Sequence, residues 1–519
     1  MILKSKGTMS LSIIDLHVST ENSFNEINGN NRSIELKEKY EQYYTPTNIA
    51  NYMAAMFKPK KKKSITMLDP GVGMGSLTIA FVRNVLEWDN HPVEIKALLY
   101  EIDETVKFRL EENLSELKEY CLSHGVTFQW ELKFTDFISD SVEKILRGDI
   151  DIFDYVILNP PYRKMVSGSK EDDELRGIGI QSANYYAAFV SLSKRYLKQH
   201  GEYVAITPRS FCNGVYFLPY RKDMELDTRY LDFHLFDSRT SPFSKDQVLQ
   251  ETIIYHGIKE IWDSNKYVNV LHSTDSSFSD TSKQLLKLEE IVYPSDANRV
   301  IRILRNGDEK QISDRINALP CTLKDIGLDV STGPIVGFRE KSENISKDVV
   351  ENSYPYLYSK HIKNGAIVWP LNDAKNNSII GDDSNLKRLR NRGNYVLVKR
   401  MSSKEERRRI ICGVLKASDY NYEYFGFDNK TNYYHRNKSG FELEVTKGLC
   451  VFLSASLVDI YFRTFSGHTQ VNASDLKSLR YPTINDLKEL SSAYDDESDN
   501  QDSIDRKVEE IIKKYHNQD

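Results

Sequence analysis

Cysteine, long apolar runs and net charge are all scarce in this chain of 519 residues, and each scarcity narrows what it can be. The five cysteines, Cys121, Cys212, Cys321, Cys412 and Cys450, lie far apart with no CxxC pair. That spacing argues against a zinc site or a disulfide framework and fits a reducing cytoplasm. No apolar stretch approaches the roughly 20 residues that span a bilayer. Met1 to Asn31 lacks the charged-then-apolar layout of a signal peptide, the run Leu11-Ser12-Ile13-Ile14 being cut at once by Asp15. No internal repeat is visible. What remains, 40% hydrophobic and 28% charged, describes a soluble globular protein too long for one core, so two or three domains are expected.

A net charge of −5 says nothing in favour of nucleic acid, but its distribution says more. Residues 331–480 hold 24 Lys and Arg against 16 Asp and Glu, a net of +8. Residues 481–519 hold 5 against 11, a net of −6, which leaves −7 for residues 1–330. A basic later module beside an acidic earlier one reads either as a phosphate-binding surface or as a solvated basic face.

Beyond residues 1–34, an N-terminal extension without assigned structure, Glu35 to Tyr43 reads as helix. Thr45-Pro46 supplies a cap and a proline at a helix start, and Asn48 to Phe57 continues as an amphipathic helix. The basic run Lys58 to Lys63 reads as a solvated loop. Strands then alternate with helices: strands at Ile65–Leu68, Ile95–Tyr100, Val126–Phe134 and Phe153–Leu158, helices at Ser76–Leu86, Thr105–Tyr120 and Val142–Leu146. A helix over Asn184–Lys198 and strands at Glu202–Ile206, Tyr230–Phe236 and Glu251–Tyr255 follow. Repeated β-α-β units predict an α/β domain whose mostly parallel sheet is covered on both faces. Past about residue 320 that rhythm is lost, apart from a helical pattern over Lys404–Val414. Residues 321–490 therefore read as a second, mixed α/β domain, and 491–519 as an acidic linker with a short helix at Ile504–Tyr515.

Ligands of parallel sheets bind at the carboxyl ends of the strands, and four such ends carry chemistry here. The first leads into Asp69-Pro70-Gly71-Val72-Gly73-Met74-Gly75, a turn whose glycines permit close approach but whose spacing is not the dinucleotide GxGxxG. The second ends at Glu101, either a ribose acceptor or an ordinary strand-end carboxylate. The third leads to Asp136 and Phe137, either an acceptor and a ring for adenine or a structural pair. The fourth, Asp154-Tyr155-Val156-Ile157-Leu158, delivers Asn159-Pro160-Pro161-Tyr162. Each proline fixes its own φ, has no N–H and keeps the preceding residue out of the helical region. The segment is therefore stiff and extended. It presents the Asn159 amide and the Pro160 carbonyl as acceptors, with the Tyr162 ring as a stacking face: a clamp for a planar exocyclic amine.

Taken in this order, Tyr44-Thr45-Pro46, the glycine turn, Glu101, Asp136-Phe137 and Asn159-Pro160-Pro161-Tyr162 resemble the gamma class of adenine-N6 DNA methyltransferases. The likeness continues through Ala188-Phe189, Thr207-Pro208-Arg209-Ser210-Phe211, Asn213-Gly214, Phe217, Pro242-Phe243 and Val248-Leu249-Gln250-Glu251. Val330-Ser331-Thr332-Gly333-Pro334 and Gly467-His468-Thr469-Gln470-Val471-Asn472 resemble target-recognition domains of PstI-type bacterial restriction–modification methylases. The resemblance covers about residues 40–490. It implies a Rossmann-like S-adenosylmethionine-dependent domain over 35–320, with a seven-stranded, mostly parallel sheet, followed by a DNA-reading domain over 321–490. It also implies roles. Thr45 and Pro46 touch the methionine end of S-adenosylmethionine; Asp69, Gly71, Gly73 and Gly75 form its loop. Glu101 holds ribose, and Asp136 and Phe137 hold the adenine. Asn159 and Pro160 accept from the target amine, Tyr162 stacks on the target base, and Phe243 and Phe189 line its pocket. Val72 and Met74, which depart from the family's usual small residues, receive no role.

The activity so implied is methylation of a flipped-out adenine in double-stranded DNA, protecting bacterial DNA from a functionally linked endonuclease, by a cytoplasmic monomer that requires no metal. Lys399, Arg400, Arg407, Arg408 and Arg409 read as phosphate contacts or as a charged helix face. His468 and Gln470 read as base-edge contacts or turn caps. An RNA or protein-glutamine substrate, and a non-catalytic DNA-binding protein on a methylase fold, stay open as alternatives.

Overall fold

The computed structural model describes residues 45–237, 251–341, 343–402, 406–467, 469–495 and 501–516. The expected helix at Glu35–Tyr43 lies outside them. The described residues form two compact units: one holds those up to Phe211 together with those of 216–299, the other those of 212–215 and from Val300 onward.

In the first unit the strands are β1 (Ser64–Asp69), β2 (Glu94–Glu101), β3 (Thr127–Phe134), β4 (Phe153–Leu158), β5 (Leu197–Pro208), β6 (Thr228–Phe236), β7 (Thr252–Lys259), β8 (Tyr267–Ser273) and β9 (Ser282–Lys287). The helices that place the site are α1 (Thr47–Ala55), α2 (Ser76–Leu86), α3 (Lys107–Ser123), α4 (Phe137–Arg147), α5 (Lys170–Gly177), α6 (Tyr185–Arg195) and α7 (Leu218–Asp227). The strands form one sheet in the order β3-β2-β1-β4-β5-β7-β6-β8-β9. From β3 to β5 every pairing is parallel, whereas β7 runs antiparallel between β5 and β6. The sheet thus has nine strands, not seven: β8 adds parallel to β6 and β9 antiparallel to β8. Every residue of β4 is buried, as a strand covered on both faces requires. Winding reverses between β1 and β4, so their carboxyl ends open the crevice where such sheets bind ligands.

The opposite end of β4 is closed by charge. Asp154 accepts from the Thr66 backbone and hydroxyl and pairs with Lys62 and, at 3.0 Å, Lys198. Burial opposes its ionisation, yet the two lysines outweigh that and hold its carboxyl below the usual range. Lys60 Nζ donates to the carbonyls of Asp154 (3.0 Å) and His200 (2.8 Å). Lys60–Lys63, expected to be a solvated loop, is largely exposed, but Lys60 and Lys62 also tie it to the sheet.

The second unit holds a six-stranded sheet in the order Asp329–Thr332, Thr431–His435, Tyr395–Lys399, Cys412–Leu415, Gly365–Ile367 and Ile362–Lys363. A five-stranded sheet runs Ile345–Ser346, Ser378–Ile380, Ser353–Leu357, Tyr424–Phe427 and Arg390–Asn391. Over its described residues, 406–414, the helix expected at Lys404–Val414 does not form. Cys412–Leu415 pairs antiparallel with Tyr395–Lys399, as the apolar run Ile410-Ile411-Cys412-Gly413-Val414 favours. The units also divide earlier than residue 320, because Val300, Ile316 and Leu319 belong to the second unit's core and Ile303 N donates to Thr464 O at 2.8 Å. Cys412 and Cys450 lie in that core with their sulfurs 3.5 Å apart.

Nor is the last helix, Gln501–His516, a detached tail: its Ile504, Val508, Ile511 and Ile512 are buried in the same core. Ile512→Ala is expected to cost about 2–5 kcal/mol, the range for a truncated core aliphatic. Urea unfolding followed by fluorescence checks this; a midpoint equal to wild type would show that the helix contributes nothing to the core.

Candidate active site

Two buried carboxylates shape the turn after β1. Asp69 is fully buried; its Oδ2 accepts from the Thr78 hydroxyl at 2.9 Å, and its Oδ1 from Gly71 N at 3.4 Å. Burial pushes its carboxyl up to about 7, against the lowering effect of those two bonds. Glu101, 5% exposed at the end of β2, accepts from Gly73 N at 2.9 Å through Oε2 and from Ile102 N and Asp103 N at 2.8 and 2.9 Å through Oε1. Burial raises its carboxyl as well. Val72 N donates to Tyr100 O at 2.9 Å, and Asn113 Nδ2 of α3 donates to Met74 O at 3.0 Å. Val72 and Met74, given no role from sequence, therefore anchor the turn through their backbone while their side chains are buried.

Gly73 and Gly75 take φ of 53° and 92°, which an L side chain resists. A Cβ placed on Gly71 or Gly73 meets nothing within 4 Å, so that side of the turn is open to a ligand; on Gly75 it would touch Leu110 and Ile79. Asp136, after β3, caps α4 by accepting from Ser139 N at 2.8 Å. Phe137 is buried with ring centroids 5.1 Å from both Phe189 and Tyr100. Asp136 thus has a structural task that its sequence reading left open, and Phe137 and Phe189 share one aromatic cluster.

At the end of β4 the Asn159 amide is held from both sides. Its Nδ2 donates to the Thr45 hydroxyl at 3.0 Å, and its Oδ1 accepts from the Tyr162 hydroxyl at 3.1 Å. Thr45, Pro160 and Tyr162 are buried. Pro46 (φ −56°, ψ 147°) is extended at the start of α1, which sets Thr45 facing β4. Behind Tyr162 an aromatic row continues: Tyr186 lies edge-on at 6.4 Å and stacks on Phe217 at 5.7 Å, its hydroxyl 2.6 Å from Ser210 Oγ. Arg209 forms an ion pair with Glu251 at 3.1 Å, both nearly buried. Thr78, Asn113, Tyr186 and the Arg209–Glu251 pair were not singled out for these tasks, since each depends on contacts distant in sequence. Phe243 lies outside the described residues. Among the described residues, no group of three or more His, Cys, Asp and Glu side chains gathers to hold a metal.

Among the cationic residues expected as phosphate contacts, the structure withdraws Arg409 and engages most of the others in bonds within the second unit. Arg409 is 1% exposed, with its N–H on Asp459 Oδ1 at 2.6 Å and its Nη1 on Ser466 O at 3.2 Å; it braces the core and cannot reach a phosphate. Arg408 donates to Ser454 O and, at 3.1 Å, to Ser456 Oγ. Lys399 pairs with Glu406 at 3.0 Å, and Arg400 donates to Asn429 O at 3.0 Å. Arg407 alone of the three successive arginines is exposed. Gln470 bridges Met401, and His468 lies outside the described residues.

Residues 76–243 match the family described as Eco57I restriction-modification methylase. The chain is 38% identical over 479 residues to the type II methyltransferase M.PstI of Providencia stuartii, spanning 92% of this chain and 94% of that protein. It is 38% identical over 487 residues to M.BsuBI of Bacillus subtilis, spanning 92% and 95%. It is 28% identical over 195 residues to M.AccI of Acinetobacter calcoaceticus, spanning 36% and 31%.

Asp69 gives a stability signature. The folded chain keeps its proton up to about pH 7, whereas the unfolded chain releases it near about pH 4. Stability from the neutral form is therefore complete below about pH 4 and lost as pH rises through about 7. Asp69→Asn, uncharged throughout, is expected to be less affected than wild type on going from about pH 5 to about pH 8. Melting temperatures of both proteins at the two pH values check this; an equal drop in both would refute it.

Proposed function

Because the chain belongs to the type II DNA methyltransferases of restriction–modification systems, we propose that it transfers a methyl group from S-adenosylmethionine to the N6 amine of an adenine flipped out of double-stranded DNA. The observation that carries this reading is the doubly held Asn159 amide, beside the strand ends that bear Asp69, Glu101 and Asp136. The open side of Gly71 and Gly73, the Thr45 hydroxyl and the strand-end carboxylates fit S-adenosylmethionine as donors and acceptors. When bound, S-adenosylmethionine supplies a methyl group activated on a sulfonium.

The residues of the chain then position and polarise the base. An adenine amine is a poor nucleophile because its lone pair is delocalised into the ring. Acceptors at Asn159 Oδ1 and the Pro160 carbonyl favour a pyramidal nitrogen and free that pair. With its Nδ2 on the Thr45 hydroxyl, the amide keeps its oxygen for the amine, and the Tyr162 hydroxyl yields this acceptor when substrate arrives. Catalysis rests on orientation and electrostatics, with no covalent enzyme intermediate. A duplex hides the amine, so the base leaves the stack, and the Tyr162 ring offsets part of that cost. Asn159 at the clamp supports adenine over cytosine. The whole-length likeness to restriction–modification methylases supports DNA over an RNA or protein substrate; a cytoplasmic monomer that protects bacterial DNA from a linked endonuclease completes the proposal.

Incubation of bacterial DNA with methyl-labelled S-adenosylmethionine, followed by nucleoside analysis, is expected to yield N6-methyladenine; label in cytosine, or none in DNA, would sink the reading. Asn159→Ala is expected to lower turnover by about 100-fold or more, the scale of a lost oxyanion-type contact, and Tyr162→Ala to weaken it while cofactor binding persists. Thr45→Val is expected to reduce kcat by roughly tenfold, with Thr45→Ser restoring it. If Thr45 acted only through the cofactor, Thr45→Val would raise KM for S-adenosylmethionine and leave kcat unchanged.

A further inference from the structure

Between the strands Asp329–Thr332 and Ile345–Ser346 of the second unit, a single turn of 3-10 helix, Gly337–Arg339, carries Phe338 with 74% of its surface exposed. The turn is pinned on both sides. Before it, Gly333 N donates to Thr431 O at 2.8 Å, and Ile335, fully buried, donates its N–H to Phe427 O at 3.1 Å. Gly337 N donates to Asp428 Oδ2 at 3.3 Å, and the same oxygen takes the Tyr356 hydroxyl. A Cβ on Gly337 would collide with that hydroxyl, so the backbone sits as close to its support as it can. After the turn, Glu340, 7% exposed, is gripped by Arg388, with Nη2 to Oε2 at 3.0 Å. A backbone fixed this firmly holds its aromatic ring out in water, where burial would be favoured.

The surroundings indicate what meets the ring. The Arg339 guanidinium lies 5.5 Å from the ring centroid and is exposed, while exposed Lys341 pairs with Glu343 at 3.7 Å. The register of the six-stranded sheet pairs Thr332 with Asn432 and Lys399 with Thr431, which brings the ends of three strands together beside this turn. There Arg400 N donates to Lys430 O at 3.0 Å and its Nη1 to Asn429 O, while Asn429 N donates to Ile335 O at 2.7 Å. Lys430 is exposed. A continuous chain of backbone bonds thus links Arg400 and Lys430 to the Phe338 turn. An exposed aromatic ring on a pinned turn, with the Arg339 guanidinium beside it and exposed Lys430 on the bonded strand end, suits a polyanion with stacked rings. Bases stack on such rings, and apolar side chains wedge between base steps while cations hold the adjacent phosphates.

We propose that Phe338 is a DNA-stacking residue, and that the sheet end bearing Arg339, Arg400 and Lys430 contacts the flanking phosphates. This rests on the DNA-methyltransferase reading and names a surface that it leaves open. The test is equilibrium binding of the full chain, with S-adenosylmethionine present, to a fluorescent unmethylated duplex cut from bacterial DNA that the wild-type protein labels, alongside methylation of the same duplex. Phe338→Ala is expected to weaken binding about tenfold or more, the size of one lost stacking contact. Phe338→Trp is expected to restore it, with melting temperature and S-adenosylmethionine binding unchanged in both. Lys430→Ala is expected to lower the slope of log K against log salt by about 1. Equal DNA affinity in Phe338→Ala and wild type, with methylation intact, overturns the inference alone and assigns the ring to a protein contact. Equal loss in the Ala and Trp variants also overturns it. A wild-type protein that methylates no DNA overturns the underlying reading.

Discussion

Burying a carboxylate is costly unless hydrogen bonds satisfy it, and the active end of this molecule is organised by that requirement. Asp69 and Glu101 end adjacent strands and are removed from water. Each recovers part of the cost by drawing in backbone N–H groups of the glycine turn: Gly71 for Asp69, Gly73 for Glu101. The turn is therefore not a flexible loop that a ligand must order. Its shape is set by two side chains whose positions the sheet register fixes. Positive φ at Gly73 and Gly75 is the geometric consequence. The open face beside Gly71 and Gly73 is what remains for a ligand once the inner face is committed to carboxylates. An Asp or Glu at a strand end can thus act on a small molecule and shape the loop that receives it.

The same logic separates basic composition from basic surface in the second unit. Residues 331–480 carry a net charge of +8, yet a good part of that charge is structural. The Arg409 guanidinium donates to Ser466 O inside the core, Arg408 fastens the end of the helix Leu443–Leu453, and Arg388 holds Glu340. Arginine suits such tasks because its planar fork satisfies several acceptors at once. The cations left for a polyanion are those on turns and strand ends, among them Lys430, Arg339 and Arg407.

How legible all this was depended on the range of the interactions. The parallel part of the first unit, β1 to β5, could be read because its strands are largely apolar and separated by helices, so local pattern and tertiary role agree. Asn159-Pro160-Pro161-Tyr162 was legible for the same reason: its stiffness is local. The bond from Glu101 to Gly73 was not, since it spans two strands and depends on their register. The second unit resisted for a related cause. Its strands are two to five residues long, and Asp329 pairs with His435 across most of the unit, so no window of sequence contains the pattern. Glu405-Glu406-Arg407-Arg408-Arg409 has helical propensity, but the β-branched run after it is claimed by Tyr395–Lys399, and long-range pairing overrides the local preference.

The two ends of the central sheet treat buried acids in opposite ways, and the contrast bears on the ligand. At the closed end, Asp154 meets Lys62 and Lys198, and His256 lies between Glu202 (2.9 Å) and Asp232 (2.8 Å). Burial alone would disfavour the charged imidazole, but the two carboxylates outweigh it and raise its affinity for a proton. Charge there is matched by charge within the protein. At the open end, the donors to Asp69 are a threonine hydroxyl and a backbone amide, and three backbone amides serve Glu101. Such donors stabilise a carboxylate without neutralising it, which is why burial still pushes both carboxyls up. A site with that electrostatic character favours a cationic guest, because a positive charge entering it lowers the cost of ionising both acids. S-adenosylmethionine carries a sulfonium and an amine, so the cofactor proposed from the clamp at Asn159 has the sign of charge that such a site favours.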